Sequence, residues 1–262
     1  MDVPSTVAAA LEDRPVAGRR CLEAGAGVGN ATAGLLEAGA EHVYAVTNDR
    51  EHARATRERV HAAEADDARL TVLEADLRAI PLPDDSVDLL TAHALCNVLD
   101  PAALAAVAAE LRRVAAPGCH LVVDDYDPLP EAAAVRDLFA VEDAAARLAT
   151  GRAALTFYPA GFLRRFFAGD GWRFERERTL LDPVPWTEQH LAAHAARTRS
   201  FAVDRPAAAA GRPVDDTDPP ATTDRSVDGG EGLAARARRL ADEIGSESAG
   251  RMYSLAFRLS SP

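Results

Sequence analysis

The chain of 262 residues contains no lysine, so all 29 basic side chains are arginine. They face 41 acids, which leaves a formal net charge of −12 and a pI of about 5.0. That acid excess argues against tight electrostatic binding of DNA or RNA, which needs cations to neutralise phosphates. A local arginine patch is the one route left to nucleic acid. Cysteine is sparse. Cys21, Cys96 and Cys119 lie far apart and form no C-x-x-C, which fits reduced core residues of a cytosolic protein. No apolar run is long enough for a signal peptide or a transmembrane helix, so neither a membrane partner nor export is expected. His42, His52, His61, His120, His190 and His194 have no ligand spacing with the cysteines. His190 and His194 stand four apart, but no H-E-x-x-H is present, and no metal is expected. Nucleophile elbows, catalytic triad patterns and internal repeats are also lacking.

What is present is a large apolar share, 48%, ample for a core at the upper end of one α/β domain. Abundant alanine and an excess of acids over arginine suit a protein solvated in a salty cytoplasm, where carboxylate repulsion is screened. An acidic, GC-rich proteome would give the same composition.

The most informative stretch is Cys21-Leu22-Glu23-Ala24-Gly25-Ala26-Gly27-Val28-Gly29-Asn30. A short apolar run ends in an acid, three glycines follow at alternate positions, and a helical pattern begins at Asn30. Glycine tolerates positive φ and lets a ligand approach the backbone closely. The helix start offers free N–H groups. A strand, a glycine loop and a helix in this order fit a nucleotide or nucleoside site in an open α/β sheet. The spacing E-x-G-x-G-x-G differs from the dinucleotide G-x-G-x-x-G.

Along the chain, strands are expected at about 20–24, 42–46, 70–74, 87–92 and 119–124, with helices at about 5–12, 30–38, 50–64, 101–114 and 131–150. Ser5 is a candidate cap for the first helix, and Asp100 with Pro101 for the helix at 101. Five alternations of strand and helix signal a parallel, doubly wound sheet. After Gly151 come a short helix ending at Phe167, an alternating strand over 171–180, helices over 187–202 and 231–244, and a final strand over 252–259. Residues 204–230, rich in Pro, Asp, Ala, Thr and Gly, are expected to be a mobile loop. The expectation is therefore a single domain over 1–262, with a core at 18–181 and 250–262 and a helical insertion before the last strand. Segments 127–170 and 182–249 would roof the pocket and select the substrate.

Ligands in such sheets bind beyond the carboxyl ends of the strands. The five ends bring Glu23 to Gly29, Thr47 to Asp49, Asp76 and Leu77, Ala92 and His93, and Asp124 to Asp127 to one crevice. His93 is a candidate general base, since free imidazole titrates near neutrality; a polar rim residue is the plainer reading. Tyr126 is a second candidate for contact with substrate, and Tyr158 for lining the pocket or simply packing.

The run Leu22-Glu23-x-Gly25-x-Gly27-x-Gly29 resembles the first motif of class I S-adenosylmethionine-dependent methyltransferases, the Rossmann-like type 11 and type 25 groups. Leu73-Glu74-Ala75-Asp76-Leu77 resembles the stretch whose acid meets the adenine amino group. Leu82 to Leu89 looks like the family's approach to strand four, and Glu110 to Leu121 resembles its entry into strand five. The match covers about 18–126. It implies a mostly parallel seven-stranded sheet of order 3-2-1-4-5-7-6 with helices on both faces. It also implies S-adenosylmethionine as methyl donor, held by Glu23, Gly25, Ala26, Gly27, Gly29, Thr47, Asn48, Asp49, Asp76, Leu77, Ala92 and His93. One departure stands out: Thr47 occupies the place of the family's ribose-binding acid, and Asn48 or Asp49 is the candidate substitute. The end of strand four, Ala92-His93-Ala94-Leu95, is not the N-P-P-Y of amino-directed nucleic-acid methyltransferases, so a small-molecule acceptor is expected. The composition points to a halophilic archaeon as source. Two other readings are a catalytically silent S-adenosylmethionine-binding or regulatory module and, on a similar sheet, an NAD-type oxidoreductase. Oligomeric state is not legible.

Overall fold

A computed structural model describes residues 2–62, 67–203 and 225–260. The chain divides into two compact units, one of residues 1–128, 156–183 and 250–262, the other of 129–155 and 184–249.

The first unit is built on a seven-stranded sheet. Its strands are β1 (Arg20–Ala24), β2 (His42–Thr47), β3 (Leu70–Glu74), β4 (Val87–His93), β5 (Ala115–Tyr126), β6 (Trp172–Leu181) and, last in the chain, β9 (Met252–Leu259). Their spatial order is β3-β2-β1-β4-β5-β9-β6, the arrangement the sequence implied. β1 to β5 run parallel, and β9 lies antiparallel between β5 and β6. Strand residues alternate between two cores, as a period of two requires. Cys21, Val43 and Leu89 pack with Val7, Leu35, Leu36 and Val60 of helices α1 (Ser5–Leu11), α2 (Asn30–Glu37) and α3 (Arg50–Ala62). Leu22, Leu90 and Val123 pack on the other face with Leu104 and Leu111 of α4 (Pro101–Val114) and Leu163 and Phe167 of α6 (Ala160–Gly169). All three cysteines are free and buried, and burial pushes the Cys21 thiol up to about 12.

Local chemistry explains the boundaries. Asp100 caps α4 by accepting the Ala103 N–H at 2.8 Å, with Pro101 in the first helical position. Arg113 donates to the carbonyls of Ile80 and Leu82, each at 2.9 Å, and so ties the approach to β4 onto α4. Pro4, not Ser5, stands at the cap of α1, and Ser5 is the first helical residue. A Cβ on Gly34 would lie 2.6 Å from Val7 Cγ1, so glycine lets α1 approach α2 closely. β5 begins at Ala115, earlier than the expected 119, because Ala115 already pairs with Val87, ahead of a register shift in the β4–β5 pairing near which Gly118 takes φ of +80°.

The second unit contains α5 (Val135–Thr150), α7 (Glu188–Val203), α8 (Arg225–Ile244) and a two-stranded sheet, β7 (Pro185–Trp186) with β8 (Glu247–Ser248). The expected loop over 204–230 falls largely outside the described residues. Its last part, 225–230, is helical instead, since α8 starts at Arg225. The physical reason is close packing: a Cβ on Gly230 would sit 3.3 Å from Ala202 Cβ in α7. Tertiary contact overrides the low helix propensity of Gly229 and Gly230.

Candidate functional site

Glu23, the last but one residue of β1, is 2% exposed and its carboxylate reaches under the start of α2. It accepts the N–H groups of Ala31 at 3.1 Å and Thr32 at 2.7 Å, and the Thr32 hydroxyl. Those are orphan donors of a helix whose own cap, Gly29, has no side chain to offer. Burial raises the Glu23 carboxyl to about 7 against the lowering effect of these donors. The acid therefore anchors the glycine loop from beneath.

Each loop glycine has a distinct reason. Gly25, Gly27 and Gly29 have φ of +74°, +53° and +78°. A Cβ on Gly25 would lie 2.9 Å from Leu95 Cδ1, and one on Gly29 would lie 3.0 Å from Thr56 Cγ2. Gly27 is different: the nearest atom to its absent Cβ is the Gly25 carbonyl oxygen at 4.0 Å. The Gly27 backbone therefore borders open space that a ligand can enter. Gly25 and Ala26 donate to the Val46 carbonyl at 2.9 Å each, which fixes the loop to the end of β2.

At the next strand end, Thr47 is buried and its hydroxyl accepts the Asp49 N–H at 3.2 Å. Asn48 is exposed. Asp49 caps α3 through Oδ1, accepting the N–H groups of Glu51 and His52 at 2.8 and 3.0 Å. The His52 N–H bond is the main cause of its lowered pKa. Beyond β3, Asp76 accepts the Arg78 N–H at 2.8 Å and pairs with the Arg78 guanidinium, which holds its carboxyl down at about 2. Leu77 is half-buried against the core shared with Leu73 and Ala75.

The ends of β4 and β5 carry the densest polar cluster. Parallel register sets Glu23 beside Thr91 and His93 beside Asp124. His93 Nδ1 lies 3.1 Å from Asp124 Oδ2, and its side chain keeps 15% exposure. Burial alone disfavours the imidazolium, but Asp124, Glu23 and Asp125 together raise His93 above its ordinary value. Asp124 is 3% exposed, and its Oδ1 is buried without a hydrogen-bond partner. Asp125 faces the other side of β5. It accepts the N–H groups of Asn97 at 3.0 Å and Tyr126 at 2.8 Å, and burial raises it to about 7. Ala92 is buried, and Ala94 takes φ of +49° as its N–H donates to the Asp124 carbonyl at 2.7 Å. Tyr126 is partly buried, and burial pushes its phenol up to about 12. The Tyr158 hydroxyl donates to the Leu99 carbonyl at 2.9 Å, and its ring stacks on Phe162, which is a packing role. Among the described residues no group of three His, Cys, Asp or Glu side chains could hold a metal, and no helix is long and apolar enough to cross a membrane.

The structure thus brings Glu23, the glycine loop, Thr47 and His93 together at adjacent strand ends, while Asp49 and Asp76 are engaged by their own helix and turn. Two functional-site groups were not singled out by sequence reasoning: Asp124 as the partner of His93, and Leu95 beneath Gly25. The signal for the first was parity, since both residues end adjacent parallel strands and share a sheet face.

A family model described as a methyltransferase domain matches residues 21–118. A demethylmenaquinone methyltransferase of Clavibacter sepedonicus is 35% identical over 117 residues. The aligned stretch spans 44% of this chain and 44% of that protein, less than half the relative's length. A candidate methyltransferase from Bacillus halodurans C-125 superposes with TM-score 0.63 at 12% identity, over 98% of this chain and 100% of that one. A candidate sarcosine dimethylglycine methyltransferase from Galdieria sulphuraria gives TM-score 0.56 at 16% identity, over 97% and 84%. At these identities the two structures share a fold with this chain.

Proposed function

We propose that this chain, whose residues 21–118 match a methyltransferase-domain model and whose sheet has the class I strand order, is a methyltransferase that moves a methyl group to a small-molecule acceptor. S-adenosylmethionine is the donor of this fold, and it supplies a methyl group already activated by a sulfonium. The protein's part is to hold an acceptor in line with that methyl and to exclude water. Glu23 anchors the loop from below, and the open backbone at Gly27 admits the donor. Gly25, Ala26 and Gly29 shape the same wall. Asn48 or Asp49 meets the ribose, with Thr47 behind them. Asp76 accepts from the adenine amino group beside or in place of the Arg78 guanidinium, and Leu77 packs on the base. Ala92 and His93 border the methyl end. Tyr126 contacts the acceptor.

The observation that carries this reading is the combination of a buried acid under a helix start and a positive-φ glycine facing empty space. Buried carboxylates in excess of cations at the same strand ends also favour a cationic ligand. Titration calorimetry of the full chain with S-adenosylmethionine, S-adenosylhomocysteine and NAD tests it. The first two should bind and NAD should not. NAD binding alone would favour the oxidoreductase reading. Donor binding without conversion to S-adenosylhomocysteine in a cell extract would leave a silent binding module. We place the protein in the cytoplasm of a salt-adapted cell, so activity should rise in molar KCl.

A further inference from the structure

We propose that His93 and Asp124 act as one general-base unit, and that the acceptor is therefore a neutral molecule bearing an ionisable hydroxyl, such as a phenol or enol. This rests on the methyl-transfer reading and names the substrate class for the same site. Asp124 Oδ2, 3.1 Å from Nδ1, accepts the Nδ1 proton, so the lone pair of the neutral ring sits on Nε2. Nε2 has no hydrogen-bond partner in the described chain, and the side chain keeps an exposed edge. The pair is held by strand register and not by a flexible loop, since His93 and Asp124 are paired positions of β4 and β5. Asp124 is a positioning residue, because it acts through the imidazole.

The charged groups around the ring are Glu23 from β1 and Asp124 and Asp125 from β5. From β6, Arg176 donates to the hydroxyl of Ser254, the β9 residue paired with Asp124. Asp124 against the ring and Glu23 on the same sheet face, with Asp125 acting from the opposite face, repel an anionic acceptor and stabilise the imidazolium that forms. The acceptor hydroxyl gives its proton to Nε2 while its oxygen lone pair, or the conjugated carbon it activates, forms the bond to the methyl carbon. The S–C bond pair stays on sulfur, and the imidazolium later releases its proton to water.

The test uses the full chain with labelled histidine and imidazole-nitrogen NMR over pH 5–9, beside transfer assays with 1,4-dihydroxynaphthalene, catechol and nicotinamide. His93 should show the Nδ1–H tautomer when neutral and titrate above 6.5. Asp124→Asn should lower that midpoint by about one unit or more, and Asp124→Glu should restore it. Methyl transfer to a hydroxyl probe should fall about 10²- to 10⁴-fold in His93→Gln. Its acid limb should move with the NMR midpoint in the Asp124 variants. An Nε2–H tautomer, a midpoint indifferent to Asp124→Asn, full-rate transfer by His93→Gln, or transfer to nicotinamide but to neither hydroxyl probe would each overturn the proposal. Calorimetry separates the two levels. Failure of the wild type to bind S-adenosylmethionine would sink the methyl-transfer reading, whereas donor binding that survives in Asp124→Asn isolates the base.

Discussion

Among the described residues three histidine–carboxylate pairs occur, and two of them, one in each unit, are built differently. In the first unit, His93 meets Asp124 at 3.1 Å, and two further buried acids stand near, Glu23 on the same sheet face and Asp125 on the other. In the second unit, His194 Nδ1 lies 2.6 Å from Glu142, and Arg197 Nε lies 2.9 Å from the other carboxylate oxygen. There one fully buried acid faces an arginine and an imidazole, and the histidine ring packs against Phe139 at 4.5 Å. A buried acid paired with an arginine has part of its desolvation offset within the fold. A buried acid in excess has to take up a proton or meet a positive ligand. The first arrangement is what a structural pair needs, and the second is what a binding or proton-handling site needs.

Substitutions can break that contrast. Glu142→Gln should cost about 3 kcal/mol of unfolding free energy and leave turnover unchanged, because it removes the buried charge that pairs with Arg197 and the acceptor that meets His194. Asp124→Asn should do the opposite, costing under about 1 kcal/mol while turnover collapses, since the amide keeps an oxygen that accepts from His93 Nδ1 and loses only the charge that stabilises the imidazolium. Denaturant melts and turnover assays on the two variants decide this. Equal losses of stability would erase the distinction.

The pH dependence sharpens it. Glu23 and Asp125 are raised by burial to about 7 from ordinary values of 4.5 and 3.8. The folded state thus binds more protons than the unfolded state between those values and about 7. Stability should therefore fall as pH rises through that window. His93, also raised, adds a loss of the same sign as pH climbs through its folded midpoint. Glu23→Gln should flatten the slope, as read from unfolding free energies at pH 5 and pH 8, and an unchanged slope would show that Glu23 is not the group that titrates.

Smaller effects test the neighbours. Asp49→Ala should cost about 1 kcal/mol of stability through loss of the α3 cap. If Asp49 also holds the ribose, donor affinity drops in the same variant and stays normal in Asn48→Ala. Finally, 1–262 is proposed to fold as one domain. Its two tryptophans, Trp172 and Trp186, lie in different units, so Trp172→Phe and Trp186→Phe should unfold at the same denaturant midpoint by fluorescence. Separate midpoints would mean that the units fold independently.

Much of the first unit was legible because its information is local. The period-two runs, the Asp100-Pro101 cap and the alternate glycines each have a nearest-neighbour cause, and together they imply the strand order. The His93–Asp124 pair is not local: it depends on the register between strands 31 residues apart in sequence. The role of Asp76 was hard to read for the opposite reason. Its acid is engaged by the backbone and side-chain donors of Arg78 two residues away, a geometry that an acid at a strand end does not announce. In the second unit, Gly230 hid the helix start, because a glycine that breaks an isolated helix is also what lets two helices touch.

The most direct measurement is a calorimetric titration of S-adenosylmethionine into the full chain and into Gly27→Val, with circular dichroism to confirm that the variant is folded. Valine at φ of +53° would fill the open space at the loop and strain the backbone there. Saturable binding to one site in the wild type, weakened at least about tenfold in the variant, is the predicted result. Absent binding in the wild type, or undiminished binding in the variant, would contradict the placement of the donor on the glycine loop.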